Sequence, residues 1–162
     1  MADLLELARG DQAVQTKSVD VADLARQVCR TRGLPDTLVS VADRASPPWT
    51  VDPRRLERVL GHLLDNAVRH GGGPMAVRVG QAPGIRYLEV DDEGPGILPE
   101  DRDTIFDRFV RGRSANARGD SDGTGLGLAL VAQHVEAHGG RALVTDRPGG
   151  GARFRVEIPE PS

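Results

Sequence analysis

Three short stretches carry residue types and spacings from which chemistry can be built. The first, "SDGTGLGLAL" at residues 121–130, places Gly123, Gly125 and Gly127 immediately before, and partly inside, a segment of helical character. Glycine costs about 1 kcal/mol relative to alanine in a helix interior, so three at a spacing of two call for some use of their missing side chains. A glycine-rich turn entering a helix offers free backbone N–H groups and the positive end of the helix dipole, both suited to a phosphate. The same run also fits a loop-to-helix hinge that holds no ligand. Two familiar phosphate motifs do not match it. A P-loop needs GxxxxGK followed by Ser or Thr, and the only lysine is Lys17; a dinucleotide fingerprint needs GxGxxG directly after a strand, whereas this run reads G-T-G-L-G-L after a long polar loop.

The second stretch is "VDDEGPGI", where Asp92, Gly94 and Gly96 form a D-x-G-x-G pattern at the end of a strand-like segment. Glycines admit a flat ring close to the backbone, and a carboxylate accepts a hydrogen bond from an exocyclic amine, so the group can hold adenine. A tight turn capped by Asp92 explains the same residues. The third stretch lies on the most periodic segment of the chain, "DPRRLERVLGHLLDNAVRHG". There His62, Asn66 and Arg69 or His70 fall at i, i+4 and i+7 or i+8, on one flank beside an apolar face. An asparagine amide oxygen is a hard ligand able to join a Mg²⁺ shell, and Arg69 with His70 can contact phosphate oxygens. A solvated polar flank accounts for this spacing equally.

The elements that must position these residues follow from pattern. Asp52 can cap the long helix, Pro53 suits its first turn and Gly71 can end it; Leu56, Val59, Leu60, Leu63, Leu64, Ala67 and Val68 repeat at helical spacing as its core face. A helix is expected over about residues 20–32 and another over about 125–138, with a short one around "PEDRDTIFDRF". Strands are expected at "TLVSVAD", "WTV", "MAVRVG", "RYLEVDD", "RALVTD" and "ARFRVEIP", with "DQAVQTKSV" as a linker or edge strand. Strands joined both as hairpins and through helices indicate an α/β sandwich, a mixed sheet with helices on one face.

Composition narrows the partners. The chain has 162 residues and a net charge of −3, most simply one domain, with no basic run to attract nucleic acid or an anionic membrane. No apolar run approaches the length needed to span a bilayer, and no signal peptide opens the chain, so a soluble intracellular protein is expected. Cys29, the only cysteine, sits among Val21, Leu24, Ala25 and Val28 and reads as a reduced core residue. His134 and His138 in "HVEAH" have zinc-compatible spacing, but the order is HxExH and not the protease HExxH; near a helix C-terminus, histidines are favoured by the dipole alone.

Taken in order, "RVLGHLLDNAVRHG", "VDDEGPGI", "IFDRFVRG", "GTGLGLALV" and "HGGRALV…GGGARFRVEIP" resemble the N, G1, F and G2 boxes and the closing strands of bacterial sensor histidine kinases. The resemblance covers roughly residues 50–160. It implies the Bergerat-type ATP-binding fold shared with gyrase, Hsp90 and MutL: a mixed, mostly antiparallel sheet packed against three helices, with ATP between the helices and a mobile lid, here about residues 98–122. It also implies that residues 1–15 hold the end of a preceding dimerisation helix and a linker, and that residues 16–162 are the catalytic domain.

By the same resemblance, Asn66 faces Mg²⁺ and through it the phosphates, with His62, Arg69 and His70 on the nucleotide side. Asp92 accepts from the adenine amine, Gly94 and Gly96 make room for the ring, and Ile97 follows them. Gly123, Thr124, Gly125, Leu126, Gly127 and Leu128 form the second glycine box against the phosphates, and Arg111 or Arg113 reaches the γ-phosphate. Phe106 and Phe109 match the F box, either packing beneath the lid or touching the kinase's helical domain. The implied cofactors are ATP and Mg. The implied partners are the dimerisation domain that carries the phosphoacceptor histidine and a response regulator, the fragment itself being monomeric and cytoplasmic and the full-length protein anchored in the inner membrane.

One position departs from the pattern. The family usually has asparagine at His62, and ATPases of the superfamily have a water-activating glutamate there, so negligible hydrolysis is expected. None of the four histidines is followed by an acidic residue, so the phosphoacceptor is expected to lie outside this chain. Two other readings fit the same residues: a serine-kinase anti-sigma factor of this fold, and a degenerate interaction module that holds no nucleotide.

Overall fold

The computed structural model describes residues 13–42, 48–106 and 126–160. In chain order they form β1 (Lys17–Val19), α1 (Val21–Thr31), β2 (Val39–Val41), β3 (Trp49–Val51), α2 (Pro53–His70), β4 (Pro74–Ala82), β5 (Ile85–Asp92), α3 (Leu126–Glu136), β6 (Arg141–Asp146) and β7 (Ala152–Pro159). Short 3-10 turns occupy Asp36–Leu38 and Pro99–Asp101.

Local chemistry explains the helices. The Asp20 carboxylate caps α1 by accepting from Asp23 N at 3.1 Å, and the helix buries Val21, Ala22, Ala25, Val28 and Cys29. Burial raises the Cys29 thiol pKa, and nearby Asp36 adds to the shift. Asp52 caps α2 by accepting from Arg54 N at 3.0 Å and Arg55 N at 3.4 Å. Pro53 fills the first turn, and Gly71 closes the helix with its N–H on Ala67 O. Six apolar side chains of α2, from Leu56 to Ala67, enter the core, where they meet Val131 and Val135 of α3, whereas Val68, expected on the same face, is exposed one residue past that stripe.

The main sheet runs β2-β4-β5-β7-β6, and β1 pairs with β3 in a separate two-stranded ribbon. Only β2–β4 is parallel; the other pairings are antiparallel, as expected of the mixed, mostly antiparallel sheet. β4 and β5 form a hairpin through Pro83 and Gly84, whose φ of +77° favours glycine. Along β5 and β7 the two-residue period puts Leu88, Val90, Phe154, Val156 and Ile158 into the core beneath the helices. The alternate positions, Glu89, Asp91, Arg153 and Arg155, pair with one another on the opposite face.

Two elements differ from expectation. The segment "PEDRDTIF" forms no regular helix. After the 3-10 turn its backbone bonds, such as Ile105 N to Asp101 O, close single turns, while Arg102 donates to Ile97 O at 3.3 Å and to Asp146 Oδ1 at 2.6 Å, holding the segment against β6. Helix α3 stops at Glu136, and Ala137–Gly139 continue as a turn with Gly139 at φ +75°. The proposed dimerisation-helix residues 1–12, Phe109 and the rest of the lid from residue 107 lie outside the described residues.

Candidate functional site

Because β5 has a period of two, Asp92 follows Leu88 and Val90 on the helix-facing side of the sheet. It is fully buried. Its Oδ1 accepts from Gly94 N at 2.9 Å and from Ala152 N at 3.1 Å, two charge-assisted bonds that set the direction of the carboxylate. The C-terminal end of α2 lies directly against it: a Cβ at Gly71 would overlap the Asp92 carboxyl group, meeting Oδ2 at 2.5 Å. A Cβ at Gly94 would stand 2.6 Å from Gly71 Cα and 3.0 Å from His70 O. The space left by Gly94 is therefore filled by the chain's own backbone, so close packing of this turn on α2 replaces the room for a ring expected of it. Gly96 differs. Its φ is +80°, and a Cβ there would come no nearer than 3.5 Å to Gly151 O.

Asn66 lies one helical turn before His70, half-buried on the same flank as His62. Its Nδ2 is buried without a hydrogen-bond partner in the described structure. An unsatisfied buried donor costs about 1–3 kcal/mol. Across from it, a Cβ on Gly127, the second residue of α3, would come 3.8 Å from His62 Nδ1. The second glycine run thus reaches the first turn of α3 beside the His62–Asn66 flank.

Seven of the sixteen expected site residues come together here. Asp92, Gly94, Gly96, His62, Asn66, His70 and Gly127 lie around the junction of α2, β5 and α3. Arg69 is exposed, whereas Ile97 is buried in the core and Leu128 packs half-buried against it. Gly123, Thr124, Gly125, the Leu126 side chain, Arg111 and Arg113 lie outside the described residues. Phe106 packs edge-on against Phe154 at 6.3 Å between centroids. A separate cleft of about 470 Å³ lies between Phe106, Ala132, Gln133 and Val144, and none of the expected nucleotide residues lines it.

Three residues that hold Asp92 carried no obvious signal in the sequence. Gly71 reads only as a helix stop, and Ala152 as an ordinary strand residue. Gly151, at φ +98°, lies so close to the Asp92 carbonyl that any side chain would overlap it; the "GGG" before the last strand was the available clue. The zinc-like spacing of "HVEAH" is explained by packing. Arg55 Nη1 is 3.1 Å from His134 Nδ1, while His138 accepts from Asp52 N at 3.0 Å and its Nδ1 is 2.8 Å from His134 O. Among the described residues no cluster of three His, Cys, Asp or Glu side chains is arranged to hold a metal, and no helix is long and apolar enough to cross a membrane.

Residues 51–162, from β3 through the Asp92 turn to the last strand, match the family described as histidine kinase-, DNA gyrase B-, and HSP90-like ATPase. The chain belongs to this family. Its relatives place it on the sensor-kinase branch. It is 41% identical over 131 residues to a sensor histidine kinase component of Mycobacterium tuberculosis, the alignment covering 81% of this chain and 70% of that protein. The crystal structure of the ATP-binding domain of PrrB from Mycobacterium tuberculosis superposes with a TM-score of 0.66 at 31% identity, over 91% of this chain and 98% of that one. Full-length ShkA in complex with AMPPNP gives 0.75 at 30% identity, over 99% of this chain and 35% of that one. The chain spans 29% and 42% of the length of two longer sensor-kinase relatives. It is the ATP-binding domain of a sensor histidine kinase.

Proposed function

We propose that this domain binds ATP as its magnesium complex, with adenine at Asp92 and the phosphates between the Asn66 flank of α2 and the start of α3. In the longer protein it would then present the γ-phosphoryl group to a histidine outside this chain. The observation that carries the proposal is the pair of groups at the two ends of that surface: a buried carboxylate aimed by two backbone N–H groups, and a buried amide donor with no partner among the described residues.

Each residue has a defined task. Asp92 accepts from the exocyclic amine, and the glycine conformation at Gly96 lets the backbone pass close to the ring. Asn66 offers its amide oxygen to the cation and its N–H to a phosphate oxygen, with His62 and His70 beside it and Arg69 on the last turn of the same helix. A single amide oxygen fits Mg²⁺, which keeps several waters and takes its other ligands from phosphates. When bound, the cation offsets phosphate charge during transfer. The backbone N–H groups at the start of α3, with Gly127, add the positive end of a helix dipole.

Phosphoryl transfer depends chiefly on positioning, so the chain alone is expected to bind ATP without phosphorylating itself. His134 and His138 are committed to the contacts with Arg55 and Asp52, and His62 and His70 belong to the nucleotide flank. Residues 1–15 would lead in from a dimerisation helix bearing the acceptor, and a response-regulator aspartate would receive the phosphoryl group next. Anchoring of the whole protein in the inner membrane belongs to the same proposal. Calorimetric titration of Asp92→Asn with ATP tests the adenine assignment: one lost charge-assisted bond weakens binding roughly tenfold to a hundredfold, and unchanged affinity would sink it.

A further inference from the structure

We infer that Arg153 is a positioning residue for nucleotide recognition, acting through Asp91 on the strand end that carries Asp92. The inference rests on the assignment of Asp92 to adenine.

Strand β5 carries Asp92 as its last residue. On the β4 side Asp92 pairs with Pro74, and the register shifts between Pro74 and Ala76. On the β7 side the paired register ends at Asp91 and Arg153. The next N–H along β7, that of Ala152, donates to the Asp92 side chain. Side chains add a further cross-strand fastening at that last pair. Arg153 Nε donates to Asp91 Oδ1 at 2.8 Å and Nη2 to Oδ2 at 3.0 Å, a two-pronged grip between directly paired residues.

Only 5% of the Asp91 side chain is exposed, so this pair is shielded more than a surface ion pair. The other charges nearby do not duplicate it: Arg78 Nη2 stands 3.8 Å from Asp91 Oδ2, and Arg153 Nε stands 3.9 Å from Glu89 Oε1. Asp91 and Asp92 are consecutive on a strand and point to opposite faces, so a backbone rotation that frees one carboxylate turns the other. One dipeptide of β7 holds both, Ala152 through its N–H on Asp92 and Arg153 through its fork on Asp91. Gly151, packed against the Asp92 carbonyl, sets the entry of β7 into this arrangement.

A carboxylate fixed in direction favours a ring that presents an amine over one that presents a carbonyl at the same position. Loosening it lowers both the affinity for ATP and the preference for ATP over GTP. The test is calorimetric titration of the 162-residue chain with Mg·ATP and Mg·GTP, using Arg153→Gln, Asp91→Asn, their double variant, Arg153→Lys and Asp92→Asn. Each of the first two should weaken ATP binding about threefold to tenfold and narrow the ATP preference; the double variant should be no worse than either, and lysine should restore part of the loss.

A folded Arg153→Gln that unfolds in less urea yet keeps its affinity and ATP preference would show a purely structural pair and overturn the inference. If Arg153→Gln does not fold, Asp91→Asn and Arg153→Lys carry the same comparison. Asp92→Asn separates the two possible failures. Unchanged ATP binding in that variant removes the adenine assignment and this inference with it, whereas a loss there beside an unaffected Arg153→Gln removes this inference alone.

Discussion

Alanine at position 71 sets two opposed effects against each other. Gly71 has φ −110° and ψ 11°, a conformation open to any residue. Chain entropy by itself would then make Gly71→Ala more stable by about 0.4–1 kcal/mol. The new methyl group would nevertheless overlap the Asp92 carboxyl group, 2.5 Å from Oδ2 and 2.6 Å from the Asp92 Cβ. Overpacking of this kind costs about 1–3 kcal/mol. Relief by turning the carboxylate away surrenders bonds from Gly94 N and Ala152 N, and hydrogen bonds to charged groups contribute about 1.5–3 kcal/mol. Steric conflict wins: the variant should be less stable by about 1–3 kcal/mol in urea denaturation and bind ATP at least about tenfold more weakly by calorimetry. In an Asp92→Gly background the three nearest atoms, all of the Asp92 side chain, are gone, so the stability penalty should shrink. Gly71→Ala at or above the original stability with unchanged ATP affinity would refute the proposed contact between α2 and Asp92.

Three further outcomes are expected. Asp65 is engaged by Arg32, with Nε 3.0 Å from Oδ1, and His62 stands where a water-activating glutamate would, so the purified chain should show no sustained ATP hydrolysis; turnover that vanished in Asn66→Ala would contradict this. Because that ion pair is exposed, Asp65→Asn should change stability by less than about 1 kcal/mol and leave ATP affinity unaltered in the same titration. Burial acts to raise the Asp52 pKa, but N–H groups of Gln15, Arg55 and Arg54 and the Arg55 charge hold it below its ordinary value of 3.8. Its stabilisation is thus complete above that value and lost as pH falls through it toward the lower folded value; acid unfolding followed by circular dichroism should be less steep in Asp52→Asn.

Legibility in the sequence divided along the range of the interaction. Helix α2 could be read almost whole, because its cap, its proline, its terminal glycine and its apolar spacing are all local. The alternation in β7 was equally plain. The contacts that hold Asp92 were not, since Ala152 lies sixty residues away and only the fold brings its N–H to that carboxylate. At Gly94 the pattern marked a place where backbone approaches closely, and in the structure the end of α2 lies there. The polar composition of "PEDRDTIF" suits a helix, yet anchoring of Arg102 to Ile97 and Asp146 favours isolated turns, a tertiary effect that composition does not contain. The Asp91–Arg153 grip is likewise a product of strand register, invisible until β5 and β7 are paired.

The most direct test of the central claim is calorimetric titration of this chain and of Asn66→Ala with ATP, each with and without Mg²⁺. ATP binding is expected to be strengthened by the metal, with that strengthening lost in Asn66→Ala. Metal-dependent binding that survives in Asn66→Ala, or no binding of ATP by the folded chain, would contradict it.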